Sequence, residues 1–426
     1  MPVFLPLCVR LGLNWEILVA GTAPSCKSRP FGLVIRQPPP GIIYPTSGVP
    51  PPFSTSVMMK FLILSRLLLA APLNAQVLVE SLPESGIQPQ TAVTSDGLVH
   101  LVYLKGDPKA CDIRYMTRRA TGGDWSAPLT VNSTPHSAIA SGTIRGAQIA
   151  PGKAGSVQVI WNGNSVATAD GPAQSPLLYA RLIPGAKAFT AHQNLLGETT
   201  SLDGGASIAA NEKGRIAVVW HAAPPGRRDE GERLVWVRYS DDDGAAFSAP
   251  APLNAAQPGV CACCSLRAGM AADGTLSVLY RAATTPTDRG MRLITDHAGK
   301  STSQKLDDWR TAVCPMSSAS MMPSGTTLWG AWENDGQIIT GLLEPGAVSR
   351  KIGPQNAKHP ILAQNAQGRT LIASIIGSGW AKAGTLHWDI MDEQGKVTVS
   401  GDGGKLPVWS YATSYARPDG VFVILF

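Results

Sequence analysis

The sequence predicts an all-β fold, a β-propeller of six or seven four-stranded blades, and three observations lead to this prediction. An apolar strand, a tight turn containing glycine and a second apolar strand recur along the chain. The turn glycines stand 43 to 60 residues apart, a spacing that suits one four-stranded blade each. The 426 residues include 44 Gly and 34 Pro but only 15% charged residues, which is typical of many short strands joined by turns.

Hairpin chemistry explains the repeated turn. Asp96-Gly97 and Asp273-Gly274 each stand between two apolar strands, and Asp-Gly favours a hairpin because glycine adopts positive φ easily. The predicted turn glycines are Gly97, Gly155, Gly214, Gly274, Gly325, Gly368 and Gly420. They account for six units and a final hairpin, which forms a seventh blade if residues 77–80 add a strand and close the ring.

The formal charge of +6 does not indicate a nucleic-acid partner. Residues 1–75 hold six of the 36 Lys and Arg and one of the 30 acidic residues. The 30 basic and 29 acidic residues that remain leave residues 76–426 nearly neutral. Nucleic-acid binding needs a basic patch, so we predict no partner of that class.

Residues 58–75 have the features of a signal peptide. Lys60 precedes an apolar run over residues 61–71, and Ala75 supplies a small residue at the predicted cleavage point. The run is too short for a comfortable membrane span, and Arg66 interrupts it. We therefore predict a secreted or periplasmic protein rather than an integral membrane protein.

Residues 1–57 precede this segment and show no periodic apolar pattern. We expect the true start at Met58 or Met59, with residues 1–57 a mis-assigned extension; the alternative is a disordered segment before the signal peptide. The folded domain is then residues 76–426.

Five cysteines fall in the predicted domain: Cys111, Cys261, Cys263, Cys264 and Cys314. An oxidising compartment permits disulfides, so we predict two that staple adjacent blades. One joins Cys261, Cys263 or Cys264 to Cys314, and another involves Cys111. An odd number of cysteines leaves one without a partner in the same chain.

The alternative for these cysteines is a soft-metal or redox site. Thiolate sulfurs favour copper(I) or zinc, with Met316 and either His221 or His359 as further ligands. A metal finger in the strict sense needs two Cys-x-x-Cys pairs, and the chain lacks that arrangement. We therefore favour disulfides and expect neither a metal nor another cofactor.

One segment carries a family motif. Ser240, Asp242, Gly244 and Phe247 fit the pattern Ser-x-Asp-x-Gly-x-x-aromatic. The Asp side chain accepts backbone N–H bonds within a turn, Gly takes positive φ, and the aromatic ring packs under the turn. The segment resembles the Asp-box of bacterial neuraminidase repeats. With the blade period, it makes residues 76–426 similar to sialidase-superfamily propellers, which implies a structural role for Asp242 on the face opposite the active site.

A narrower resemblance concerns the cysteines. Cys261-Ala-Cys263-Cys264 together with Cys314 is similar to a group of exported, uncharacterised neuraminidase-repeat proteins. This resemblance implies no particular chemistry for the thiols.

The sialidase resemblance implies an active site at the mouth of the central channel. Three arginines bind the substrate carboxylate, a Tyr nucleophile is activated by a Glu, and an Asp is the acid/base. The family's Arg-Ile-Pro motif would belong in the first blade, where this chain has Gly86-Ile87-Gln88-Pro89-Gln90. Glutamine cannot supply the cationic contact, so the family's pattern is incomplete.

Topology supplies the candidates for a substitute site, because segments leading into inner strands and the ends of second strands meet at one rim. The candidates for substrate binding are Arg145, Arg267, Arg281, Trp220 and His221. The candidates for catalysis are Glu333, Tyr411 (with Tyr415 as its alternative) and Asp203.

We therefore expect an exported sialidase-like propeller that binds a glycan or small-molecule ligand, with hydrolysis of a terminal sugar as the candidate reaction. The alternatives are a non-catalytic binding propeller stapled by disulfides, and a soft-metal or redox protein centred on the cysteines. The sequence leaves the oligomeric state open.

Overall fold

Alternating apolar residues and glycine turns fold the chain into successive antiparallel β-sheets. The computed structural model describes residues 77–142, 144–167, 175–200, 202–324, 327–344 and 346–426. The predicted signal peptide, the predicted extension and Gly325 lie outside these residues.

The strands in chain order are β1 (Val77–Glu80), β2 (Ile87–Val93), β3 (Leu98–Asp107), β4 (Ala110–Arg119), β5 (Leu129–Thr130), β6 (Gln148–Pro151), β7 (Val157–Asn162), β8 (Leu177–Leu182), β9 (Gln193–Asn194), β10 (Ser207–Ala210), β11 (Ile216–Ala222), β12 (Leu234–Ser240), β13 (Ala251–Pro252), β14 (Arg267–Met270), β15 (Leu276–Arg281), β16 (Met291–His297), β17 (Lys300–Lys305), β18 (Ala319–Ser324), β19 (Thr327–Asn334), β20 (Gln337–Leu342), β21 (Arg350–Ile352), β22 (Ala357–Gln364), β23 (Thr370–Ile376), β24 (Thr385–Met391), β25 (Val397–Lys405), β26 (Thr413–Ala416) and β27 (Phe422–Leu425). Within the described ranges there is no α-helix. Short 3₁₀ turns occur at Pro83–Ser85, Lys153–Gly155, Ser165–Ala167 and Glu230–Glu232.

The strands form the seven blades of a β-propeller. Blades 1 to 6 are β2–β5, β6–β9, β10–β13, β14–β17, β18–β21 and β22–β25, each a four-stranded antiparallel sheet in chain order. Blade 7 has the order β1-β27-β26. The predicted fold class is confirmed, and the count is seven.

The two ends of the described domain close the ring. Strand β1 pairs in parallel with β27, from Val77 opposite Phe422 to Glu80 opposite Leu425. Strand β26 pairs with β27 in the antiparallel sense. The predicted closure by residues 77–80 is therefore confirmed, in a blade with three described strands.

The described predicted turn glycines have the positive φ on which their prediction rests. Gly97 has φ +78° and Gly274 has φ +91°, both in the left-handed region that favours glycine. The other described members of the set, Gly155, Gly214, Gly368 and Gly420, also have positive φ.

An apolar cluster lies between each pair of neighbouring blades. Trp161, Trp220 and Trp332, near the ends of second strands, are among the largest fully buried side chains. This arrangement spreads the core around the ring. No described helix has the length and apolar character needed to cross a membrane.

Candidate functional site

The two faces of the propeller carry different connections. The segments leading into the inner strands β2, β6, β10, β14, β18, β22 and β26 lie on one face, which we call the upper face. The connections between second and third strands lie there as well, because strand direction alternates within a blade. The glycine hairpins between first and second strands lie on the lower face.

A cavity lies in the channel, formed by segments at or before six inner strands. The space that its walls enclose is about 30 Å³, and it opens to a mouth that brings the total to about 460 Å³ with solvent included. Its lining residues are Pro89, Gln90, Ile144, Gln148, Ser265, Leu266, Arg267, Ser318, His359, Pro360, Ile361, Tyr411, Ala412 and Thr413. Of these described residues, only Arg267 carries a formal charge.

Arg267, the first residue of β14, faces this cavity. Its Nη1 donates a hydrogen bond to Oε1 of Gln148, at 2.5 Å, and its Nε contacts the carbonyl oxygen of Ala319, at 3.4 Å. No ion pair joins it to a carboxylate of the described residues, and its Nη2 bonds none of them. Burial lowers the pKa of Arg267 from its ordinary value. An anion would supply the partner that this guanidinium lacks.

Tyr411 and His359 lie beside one another in the cavity wall, with ring centroids 6.1 Å apart. Burial raises the pKa of Tyr411, so its hydroxyl stays protonated. Burial, with a smaller effect of Lys358, lowers the pKa of His359 to about 3, so the imidazole is neutral. Nδ1 of His359 lies 3.1 Å from Oγ of Ser318. The wall therefore offers neutral hydrogen-bonding groups around one cation.

Gln88, in the first-blade segment where the sialidase motif would belong, is fully buried and takes φ +53°. Its Nε2 lies within 2.9 Å of the carbonyl oxygens of Ala140, Gly142 and Trp409. These contacts connect the segments before blades 2 and 7, so Gln88 acts as a structural tie at this position.

Glu333 in β19 is 2% exposed. Lys358 Nζ lies 4.0 Å from its Oε1, while its Oε2 has no hydrogen-bond partner among the described residues. Burial raises the pKa of Glu333, although Lys358 and Arg281 oppose the shift. No described contact joins Glu333 to Tyr411, so the structure does not bring this predicted pair together.

The alternative nucleophile, Tyr415, belongs to the core between blades 7 and 1. Its hydroxyl accepts a hydrogen bond from Nε of Arg118 at 2.9 Å. It does not line the cavity.

Arg145 and Asp203 form an ion pair with each other on the upper face. Nε of Arg145 also donates to the backbone carbonyl of Asp203 at 2.9 Å. The Asp203 side chain is 46% exposed. The two predicted site residues are therefore joined, and they lie outside the cavity lining.

Arg281 and Trp220 are buried within the ring. Arg281 donates to the carbonyl oxygens of Arg289, at 2.7 Å, and Glu333, at 2.8 Å, and stacks over Trp309. Trp220 is fully buried and donates Nε1–H to Oγ1 of Thr199 at 3.0 Å. Neither residue lines the cavity.

His221 lies beside the cysteine segment instead of the cavity. Its Nε2 lies 2.7 Å from the carbonyl oxygen of Cys264, and Nη2 of Arg233 lies 3.0 Å from its Nδ1. Burial and then Arg233 lower its pKa to about 3. The imidazole is therefore neutral, accepts from Arg233 at Nδ1 and donates to the Cys264 carbonyl at Nε2.

The cysteines lie between the segments leading into blades 4 and 5. Cys263 and Cys314 form a disulfide, which confirms the predicted link to Cys314. Cys261 and Cys264 are free thiols. The predicted second disulfide is wrong, because Cys111 is a buried free thiol on β4 of blade 1.

Sulfur atoms of Cys261, Cys263 and Cys264 lie within 4.8 Å of one another, a spacing that suits a soft cation when Cys263 is a thiol. His359, a predicted extra ligand, lies in the cavity wall, and both ring nitrogens of His221 contact protein groups.

The segment around Asp242 forms a closed turn on the lower face. Oδ1 of Asp242 accepts hydrogen bonds from Ser240 Oγ, at 2.7 Å, and from the Ala246 N–H, at 2.9 Å. Gly244 has φ +80°, and Phe247 packs edge-on against Tyr179 at 4.8 Å. These contacts agree with a structural role for the segment.

Sequence reasoning did not single out several upper-face residues. Gln148 and Ser318 line the cavity, Arg233 binds His221, and Glu230 holds the Arg289 guanidinium at 2.8 Å. No motif surrounds them, and the Arg267–Gln148 contact spans 119 residues of sequence. A local pattern could not have revealed these residues.

No protein-family model matches the chain. No curated protein matches it either. Among solved structures, a protein of unknown function from Dyadobacter fermentans aligns with TM-score 0.47 and 14% identity, over 79% of this chain and 98% of that one. An α-L-arabinanase from Penicillium chrysogenum gives TM-score 0.46 and 11% identity, over 75% and 96%. The NanB sialidase from Streptococcus pneumoniae gives 0.40 and 11%, over 82% and 66%. With these TM-scores below 0.5, the likenesses carry no inference about a ligand.

Proposed function

We propose that this propeller binds a small carboxylate-bearing ligand, of the sugar-acid class, in its central channel. The observation that carries the proposal is Arg267, a partly buried cation that faces the cavity without a described carboxylate partner. A ligand carboxylate would form charge-assisted hydrogen bonds with the guanidinium.

The rest of the cavity wall supports a sugar-like ligand. Gln90, Gln148, Ser318 and Thr413 offer amide and hydroxyl groups for ligand hydroxyls, and Tyr411 adds an aromatic ring. The neutral state of His359 leaves Arg267 as the source of positive charge, which favours an acid over a neutral sugar.

Binding is tested by calorimetric titration with N-acetylneuraminic acid, with N-acetylglucosamine as the neutral comparison. We expect the acid to bind and Arg267→Gln to weaken it by about tenfold to a hundredfold, the range expected for a hydrogen bond to a charged group. Arg215→Gln is the matched control, because Arg215 pairs with Asp241 on the lower face. Equal affinity of wild type and Arg267→Gln would contradict the proposal.

Hydrolysis of a terminal sugar is the second candidate function. Its supporting observation is the buried carboxyl of Glu333, whose raised pKa suits a general acid. A fluorogenic sialoside and a panel of other glycosides test it, with Glu333→Gln, Tyr411→Phe and Asp203→Asn as variants. Turnover that all three variants retain would remove these residues from the reaction.

We also propose export directed by residues 58–75. N-terminal sequencing of the secreted or periplasmic protein should begin near Gln76. A mature chain that starts within the first thirty residues would contradict this proposal.

A further inference from the structure

Four sulfur atoms lie on the upper face in a graded series of exposure. Cys314 is exposed and Cys263 is half-buried, whereas Cys261 and Cys264 are 0% and 2% exposed. The disulfide occupies the outer pair and the free thiols occupy the inner pair. The cluster lies outside the channel lining and takes no part in the ligand site proposed above.

Cys261 connects the two pairs. Its Sγ lies 3.5 Å from Sγ of Cys263 and 3.5 Å from Sγ of Cys264. A disulfide bond is about 2.05 Å long, so either new bond requires a closure of roughly 1.5 Å. Cys261 and Cys264 also have the Cys-x-x-Cys spacing that recurs in thiol–disulfide oxidoreductases.

We propose that these four cysteines form a thiol–disulfide relay, in which the disulfide moves between the outer pair Cys263–Cys314 and the inner pair Cys261–Cys264. In the first exchange, Cys261 sulfur attacks Cys263 sulfur. The Cys261–Cys263 bond forms, the Cys263–Cys314 bond breaks, and Cys314 leaves as a thiolate. The Cys261 proton passes to the Cys264 thiolate, which accepts its hydrogen bond.

The second exchange completes the transfer. Cys264 sulfur attacks Cys261 sulfur, forming Cys261–Cys264 and releasing Cys263 as a thiolate, while the Cys264 proton passes to an outer thiolate. Two electrons have moved from the inner pair to the outer pair, and no external oxidant or reductant is consumed. The product presents two thiols at the outer positions, where a disulfide in solution can react with them.

Within the inner pair the surroundings favour a thiolate at Cys264, whereas the hydrogen bond with Cys264 and burial raise the pKa of Cys261. Burial alone would raise the pKa of Cys264, but the hydrogen bond from Cys261 and the Arg281 guanidinium lower it to about 7. Glu333 opposes this shift weakly. Glu230 Oε1 accepts a hydrogen bond from the Ala262 N–H at 2.8 Å and fixes the loop over residues 261–264, which carries three of the four cysteines.

The test traps the outer thiols as they form. The folded full-length protein is held without oxygen, with a chelator, and exposed to a maleimide–polyethylene glycol too bulky to enter the interior. Peptide mass mapping then gives the labelled cysteines and the disulfide present. We expect wild type to acquire label at Cys314 and a Cys261–Cys264 disulfide.

Two variants separate the steps. Cys261→Ser should reduce labelling of Cys314 at least tenfold, because the connecting sulfur is gone. Cys264→Ser should stop after the first exchange, giving labelled Cys314 and a Cys261–Cys263 disulfide. Cys111→Ser, which removes a buried thiol outside the series, is the matched control and should behave as wild type.

Three results would overturn the relay. One is equal labelling of Cys314 in wild type and Cys261→Ser. Another is a Cys263–Cys314 disulfide that persists unlabelled in both wild type and Cys264→Ser, which keeps the test decisive if Cys261→Ser does not fold. The third is a purified protein whose cysteines are all thiols bound to zinc or copper.

Discussion

The upper and lower faces of the propeller hold their polar groups in different ways. On the lower face, Asp273 accepts the N–H of Thr275 two residues away, and the same local pattern recurs in other hairpins. On the upper face, Gln88 contacts the Trp409 carbonyl across 321 residues of sequence. Many lower-face polar groups are thus satisfied within one turn, with ties between neighbouring blades such as Ser156 to Asp243, whereas the upper-face contact of Gln88 depends on the closed ring.

The largest expected effect is a difference in unfolding free energy between variants of two arginines, one from each face. Arg281→Met removes a buried charge that bonds two backbone carbonyls, so we expect a loss of about 3 kcal/mol in unfolding free energy. Arg215→Met breaks a surface pair with Asp241, worth about 1 kcal/mol or less. Urea unfolding of both variants measures the difference, and equal losses would remove the contrast between the faces.

We expect a smaller difference in stability between alanine variants of two glycine turns on the lower face. Gly244→Ala combines φ +80° with a clash of the new methyl group against the Tyr179 hydroxyl, so we expect a loss of about 2 kcal/mol. Gly97 has φ +78° and open space around the methyl position, which predicts about 1 kcal/mol from backbone strain alone. If the two alanine variants have the same unfolding midpoint in urea, packing under the Asp242 turn adds nothing to the stability loss of Gly244→Ala.

The smallest expected effect is a pH dependence of stability that arises from Glu333 on the upper face. Because burial raises the folded-state pKa of Glu333, the folded chain keeps this proton to higher pH than the unfolded chain does. Stability is therefore lost as pH rises through the folded pKa, and Glu333→Gln avoids that loss. The Tm of Glu333→Gln relative to wild type should increase between pH 4 and pH 8. Glu344→Gln, at an exposed glutamate, is the control measured over the same pH range.

The distinction between local contacts and contacts that join distant segments explains what could be predicted from the sequence. The hairpins at Gly97 and Gly274 were predictable because their turn chemistry lies within a few neighbouring residues. The hairpin spacing and the apolar segment at residues 77–80 limited the blade count to six or seven, and the strand pairing decides seven. These features depend on local patterns, so one sequence was enough to define the ring.

The site was less predictable because its contacts join distant segments. The prediction included Arg267 and Tyr411 but placed Trp220 beside them, although Trp220 is fully buried in the cluster between blades 2 and 3. Three cysteines within four residues offered equivalent partners for Cys314, and only loop geometry selects Cys263. Cys111 was assigned a disulfide because of its residue type, although it lies in blade 1.

The pairing of β1 with β27 gives folding of this domain a fixed order. During synthesis β1 is the first strand of the described domain to leave the ribosome, and its partner β27 is made some 345 residues later. Throughout that interval β1 is an unpaired strand, with hydrogen-bonding groups open to other chains. A ribosome-bound chain that stops before Phe422 therefore cannot complete blade 7, and a chaperone that covers β1 would act at the most vulnerable stage.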